Sequence, residues 1–170
     1  EFEGMSLVPG WSLDLTNADP LTGKRWDLSR HDVQERVRDL VRKTQPYCVI
    51  GSPPCTSFSP LQEISRAKRD PAEMRRQLNR ARKHIQLCVE IYKEQLEHHR
   101  HFVHEHPEKS KAWQMKEMTE MLMRPEVGSV VFHMCAFGMI GNDERGTAPA
   151  KKATRIMSSS YEVLKRVNRR

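Results

Sequence analysis

Apolar residues follow two patterns along the chain, short continuous runs and recurrences at helical spacing. Residues 47–50 form an apolar run that stops at Gly-Ser-Pro-Pro, which predicts a buried strand followed by a loop. After Asp70, apolar residues recur every three or four positions as far as Tyr92. This spacing predicts one long helix, with Asp70 as its N-cap and Pro71 at its first position.

The same two patterns predict the remaining elements. Ser29 and Asp32 form a capping-box start for a helix with Val33, Val37 and Val41 on one stripe. The other predicted elements are strands at 11–15, 101–105, 128–132 and 152–157, a helix after Ser110, a loop at 136–150 and a closing helix at 160–166. Strands that alternate with helices predict an α/β fold with a mostly parallel sheet, covered by helices on both faces, in a single domain spanning residues 1–170.

Charge and composition narrow the functional class. The 170 residues carry a net charge of +7, which favours a polyanionic partner, although a solubilising surface would give the same charge. No apolar run approaches the ~20 residues of a membrane span, so no membrane partner is expected. Four cysteines without a Cys-x-x-Cys pair argue against a zinc knuckle or a disulfide framework. They favour an intracellular protein, nuclear or cytoplasmic.

Three chemically useful residues follow predicted strands. Asp14, Cys55 and Glu105 each stand at a carboxyl end, where open parallel sheets bind their ligands. We therefore expect an acid, a thiol and a second acid along one rim. Each residue alone has an ordinary explanation, because a lone cysteine is usually a small buried side chain and aspartate is common in turns.

The segment around Cys55 carries a family resemblance. Gly51-Ser52-Pro53-Pro54-Cys55, followed by Thr-Ser-Phe-Ser, is similar to the nucleophile loop of cytosine-C5 methyltransferases. Glu105, in His-Glu-His-Pro, stands where that family has the glutamate of its Glu-Asn-Val turn. Across residues 10–160 the chain most resembles a divergent branch carried in retrotransposon polyproteins. The elements that carry this likeness are Trp26-Asp27-Leu28-Ser29, residues 102–107, Ala112-Trp113, residues 135–138 and Lys152-Ala153-Thr154.

The resemblance implies a Rossmann-like, S-adenosylmethionine-dependent methyltransferase fold that acts on nucleic acid, with DNA favoured over RNA. Cys55 would add to cytosine C6, and Glu105 would brace N3 and the exocyclic amine while charge develops. The residues implied to hold the cofactor are Asp14, Asp27, Ser52 and Pro53. The cations implied to contact phosphates are Arg66, Lys68, Arg69, Arg75 and Arg76.

Departures from the family pattern keep other functions open. The family's first glycine-rich strand has no counterpart near Gly4 and Gly10, so we expect an N-terminally truncated fragment. Only the loop at 136–150 has room for target recognition, and His133-Met134 replace a usual acid. The main alternative is therefore a catalytically inactive, nucleic-acid-binding module of a retroelement polyprotein. A small-molecule methyltransferase is a further alternative.

Histidines crowd the predicted strand around Glu105. They are His98, His99, His101, His104 and His106. Because alternation along a strand sends neighbouring side chains to opposite faces, we expect no convergent metal site.

Overall fold

The computed structural model describes residues 7–63, 69–144 and 146–168. The chain forms two compact units, Glu1–Pro46 and Tyr47–Arg170. The helices are α1 His31–Thr44, α2 Pro71–Glu97, α3 Lys116–Leu122 and α4 Tyr161–Val167. The strands are β1 Cys48–Gly51, β2 His101–Pro107, β3 Gly128–His133, β4 Ile140–Asp143, β5 Gly146–Pro149 and β6 Ala153–Ser158.

The first unit consists of irregular turns and helix α1. The strand predicted at 11–15 is wrong, because residues 11–14 belong to no strand and Leu15 lies in a turn. Asp14 favours that turn by accepting hydrogen bonds from the backbone N and the hydroxyl of Thr16. The capping box predicted for α1 is also absent. The N-cap is Arg30, and the Ser29 hydroxyl donates to Asp27 instead.

The second unit contains a four-stranded sheet in the order β1-β2-β6-β3. Strands β1 and β2 are parallel, whereas β6 runs antiparallel to both of its neighbours. The α/β class is therefore confirmed, but the mostly parallel sheet is wrong. The described residues between β3 and β6 contain a short 3-10 helix, Met134–Phe137, but no α-helix, and the chain returns beside β3 in the opposite direction.

Three of the four strands nevertheless share one direction. Because β6 opposes both β2 and β3, the carboxyl ends of β1, β2 and β3 lie at the same edge of the sheet. Ile140–Asp143 and Gly146–Pro149 form a separate exposed hairpin within the segment predicted as a loop. Its position in the chain lies between β3 and β6.

The core has two layers, one on each face of the sheet. Helices α2 and α3 cover one face around Phe102, Tyr92 and Met157. Helix α4 covers the other face around Val103 and Ile156. The helices predicted on both faces are therefore confirmed.

Helix α2 begins as predicted. Asp70 accepts hydrogen bonds from the backbone N–H groups of Ala72 and Glu73, and Pro71 occupies the first turn. Within the described residues, every helix is too short or too polar to cross a membrane.

Candidate functional site

The Cys55 loop begins where β1 ends. The prolines at 53 and 54 cannot donate ladder hydrogen bonds, so the strand stops after Gly51. Cys55 is half-buried and precedes a 3-10 turn, Thr56–Phe58, whose last residue is buried at 3% exposure. The backbone N of Phe58 donates to the Cys55 carbonyl over 3.0 Å. This buried aromatic ring therefore anchors the loop immediately after the thiol.

Glu105 lies in the neighbouring strand and contacts the same loop. In β2 it pairs with Ile156 of β6, and its side chain is half-buried. The Ser52 hydroxyl donates a hydrogen bond of 2.9 Å to Glu105 Oε2. The acid is therefore hydrogen-bonded to the loop that carries Cys55, at a position three residues before the thiol.

The strand residues on either side of Glu105 face the opposite layer. His104 and His106 are fully buried, with their rings stacked at 5.7 Å between centroids. Trp113 packs edge-on against His104, and the Tyr92 hydroxyl lies 2.9 Å from His104 Nδ1. Burial lowers the pKa of His104 to about 3 and also lowers that of His106, so both rings are neutral near pH 7.

This histidine pair is a feature that the sequence analysis missed. Alternation does separate His104 from Glu105, but positions two apart share a face, and the two buried histidines converge there. No group of three or more His, Cys, Asp or Glu side chains suited to a metal ion occurs among the described residues. Both histidine rings pack edge-on against Trp113, on the face of β2 opposite Glu105.

The other cysteines of the sheet region have protected thiols. Burial raises the pKa of Cys88 to about 11 and also raises that of Cys48. Because the thiolate is the nucleophilic form, both are poor nucleophiles.

A cationic cleft lies beside the Cys55 loop. It has a volume of about 620 Å³, and residues 57–59, directly after the thiol, form part of its wall. Its cations are Arg69, Arg75, Arg82 and Lys111. Among the described residues, neither Cys55 nor Glu105 lines this cleft.

Only some of the five cations predicted to bind nucleic acid line the cleft. Arg69 and Arg75 line the cleft, whereas Arg76 does not and instead pairs with Glu73 at 2.7 Å. Arg66 and Lys68 lie outside the described residues. Two other cations that line the cleft, Arg82 and Lys111, are not among these five. The position of Arg82, seven residues after Arg75, was a usable signal, since that spacing returns to the same helix face.

The predicted cofactor residues are divided between the two units. Asp14 and Asp27 belong to the first unit, and each accepts hydrogen bonds within its own turn, from Thr16 and Ser29 respectively. Those hydrogen bonds lower the pKa of Asp14. Asp14 does not stand at a strand end, contrary to the prediction. Ser52 and Pro53 belong to the second unit, where Ser52 already contacts Glu105.

Comparisons with protein-family models, curated proteins and solved structures found no match. The site must therefore be interpreted from its own residues and geometry. A half-buried thiol follows one strand, and a carboxylate on the adjacent parallel strand is hydrogen-bonded to the thiol's loop. A thiol in such a loop can add covalently to an electron-poor ring, and a neighbouring carboxyl group can hydrogen-bond to that ring.

Proposed function

We propose that this chain is a cytosine-C5 methyltransferase-like domain that acts on nucleic acid, with DNA favoured over RNA. The observation that carries the proposal is the hydrogen bond from Ser52 to Glu105. It joins the segment that resembles the family's nucleophile loop to the strand that resembles its glutamate turn. Helices on both faces and three strands of common direction support a Rossmann-like arrangement.

In the proposed chemistry, Cys55 and Glu105 share one reaction. The Cys55 thiolate forms a bond to cytosine C6, and the ring electrons move towards N3 and the carbonyl. The Glu105 carboxyl group, carrying a proton, donates to N3 and accepts from the exocyclic amine, and in this way stabilises the charge. Ser52 orients the Glu105 carboxyl group by donating to Oε2. The addition leaves C5 enamine-like and able to accept an electrophile.

S-adenosylmethionine is the methyl donor that this proposal implies. The described residues do not fit it as a group, because the carboxylates of Asp14 and Asp27 are engaged in turns of a unit without a strand ladder. Ser52, the third polar candidate, is engaged by Glu105. The chemistry that these residues support therefore ends at the covalent adduct.

The proposal is tested by trapping that adduct on an oligonucleotide containing 5-azacytosine. Its ring nitrogen at position 5 takes up a proton after thiol addition, so the adduct persists without a methyl donor. We expect a mass increase on the wild-type chain that is abolished by Cys55→Ser and slowed by Ser52→Ala. Cys135→Ser, another half-buried cysteine, is the matched control. Deoxyribose strands should be trapped faster than ribose strands.

A nucleic-acid-binding module without catalysis is the second candidate. It is favoured by the cationic cleft, whose described lining includes neither Cys55 nor Glu105. Salt-sensitive binding with no adduct in the trapping experiment would support this function over the enzyme. An adduct that survives Cys55→Ser would contradict the proposed nucleophile.

A further inference from the structure

The cleft beside the Cys55 loop concentrates positive charge from three segments. Arg75 and Arg82 lie on one face of α2, Lys111 lies in the 3-10 turn after β2, and Arg69 precedes α2. No carboxylate occurs among its described lining residues. Among the described residues, Arg75 and Arg82 are exposed and form no ion pair.

Two acids near the start of α2, Asp70 and Glu73, flank the cleft without being among its described lining residues. Asp70 caps α2 by accepting from the backbone N–H groups of Ala72 and Glu73. The Glu73 carboxylate binds Arg76, which lowers the pKa of Glu73, and it also accepts from the amide of Gln77, a lining residue. The formal charges on the described lining residues themselves are all positive, which favours an anion.

Arg69 is held in a defined position at the cleft. Its guanidinium donates to the side-chain oxygens of Gln62 and Gln77, the second over 2.7 Å. Both amides also line the cleft. A positioned guanidinium and neighbouring amides offer hydrogen bonds as well as charge.

The cleft also has an apolar part. Met74, Leu78 and Met115 line it together with the buried Phe58 ring. Its volume of about 620 Å³ lies within the range of pockets that enclose small organic groups. A duplex presents phosphates outward and keeps its bases stacked inside, so it offers nothing to this apolar surface. A single strand offers a phosphate and an unstacked base together.

We propose that this cleft binds a single-stranded segment of nucleic acid, with phosphates on Arg75, Arg82 and Lys111 and a base against Met74 and Met115. This inference rests on the proposed nucleic-acid partner and adds the form of that partner and its site. Residues 57–59 form part of the wall, so the bound strand passes directly beside the Cys55 loop.

The test measures binding of a fluorescent 12-nucleotide single strand by anisotropy at several salt concentrations. Arg75→Gln with Arg82→Gln removes two cleft cations. Arg80→Gln with Lys83→Gln is the matched control, because these exposed cations lie on the same helix outside the cleft lining. The cleft variant should bind about tenfold more weakly, with a salt slope shallower by about 1.4, or about 0.7 for each lost phosphate contact. The control should stay within about threefold of wild type.

Two further probes test the base and the strandedness. The first probe is the same 12-mer with abasic sites, which keeps every phosphate. The second probe is the original 12-mer annealed to its complement, in which every base is stacked. Both should bind at least about fivefold more weakly than the single strand, since the contacts of an unstacked base with Met74 and Met115 are lost. Equal binding of either probe, or equal losses in the two double variants, would overturn the cleft assignment.

The outcome is separable from the proposed enzymatic function. Cys135→Ser should bind the single strand as wild type does, because this half-buried cysteine does not line the cleft. A chain that forms the 5-azacytosine adduct but binds equally well after the cleft substitutions would refute the cleft alone. A chain that binds through the cleft but forms no adduct would refute the enzyme alone.

Discussion

Neighbouring residues of strand β2 lie on opposite faces of the sheet, and the side chains on the two faces differ in chemistry. Glu105 contacts the Ser52 hydroxyl on one face, while His104 and His106 are fully buried on the other. Within the described residues, both ring nitrogens of His106 lack a hydrogen-bond partner. The neutral form of these rings is therefore the one compatible with the fold, and the strand that holds the candidate acid is sensitive to low pH.

The substitution His106→Leu should make the protein more resistant to acid. Burial lowers the pKa of His106, so the unfolded chain binds a proton at higher pH than the folded chain. The contribution of His106 to the free energy of unfolding is fully present above the unfolded pKa of about 6.5, and it is lost as the pH falls towards the folded pKa. The free energy of unfolding, measured with urea between pH 7 and pH 4, should fall less steeply for the variant than for the wild type. The two slopes should differ by up to about 1.4 kcal/mol per pH unit. His31→Leu, whose side chain is 85% exposed, should keep the wild-type slope. Identical slopes in all three proteins would contradict the burial of a neutral His106.

Gly51, the last residue of β1, allows a close approach of α2. A Cβ at this position would overlap the Tyr92 hydroxyl, which lies 2.9 Å from His104 Nδ1. Gly51→Ala should therefore destabilise the fold by roughly 1–3 kcal/mol in urea unfolding. Gly10→Ala is the control, since a Cβ there meets no atom within 4 Å. Equal stabilities of the two variants would show that Tyr92 does not pack against β1 as described.

At the scale of elements, the sequence predicts those helix starts and strand positions that a local residue pattern determines. The start of α2 and the position of β1 followed from an N-cap, a proline and an apolar run. The direction of β6 did not, because a buried strand has the same pattern in either direction. The lack of a helical pattern at 136–150 was the available signal, since parallel neighbours need a long crossover. At 11–15, the turn at Asp14 prevailed over a short apolar run.

The N-cap of α2 supports the helix that carries the cleft cations. Asp70→Ala removes two acceptor contacts from the first turn and should lower the free energy of unfolding by about 1 kcal/mol. Asp70→Asn keeps an acceptor and should retain most of that stability. Thermal and urea unfolding measure both variants. Wild-type stability in Asp70→Ala would contradict the observed capping contacts.

At the scale of the whole molecule, the candidate functions fall within one unit. Cys55, Glu105 and the cationic cleft all belong to Tyr47–Arg170, whereas Asp14 and Asp27 belong to Glu1–Pro46. The sequence predicts roles for the thiol and the acid, because each stands in a recognisable segment at a strand end, and both roles stay predictions. It could not identify Lys111 as a cleft residue, since only the packing of the turn after β2 beside α2 brings it there.

The fragment 47–170 should fold without the preceding residues. Both described core clusters of the sheet consist entirely of residues from this unit. We expect the fragment to keep a cooperative urea transition and a near-UV circular dichroism signal from Trp113. A broad transition with no near-UV signal would show that residues 1–46 are needed to complete the core.

The central claim, that Cys55 and Glu105 act on one cytosine, is tested most directly by hydrogen exchange at cytosine C5. Thiolate addition at C6 lets C5 take up a solvent proton, and elimination then returns cytosine with its original C5 hydrogen released to water. A single-stranded oligonucleotide with tritium at C5 should therefore release tritium in the presence of wild-type protein, without any methyl donor. Release should vanish in Cys55→Ser, fall by about a hundredfold or more in Glu105→Gln, and stay at the wild-type rate in Cys135→Ser. Release that is unchanged in Cys55→Ser, or absent from wild-type protein that binds the strand, would contradict the claim.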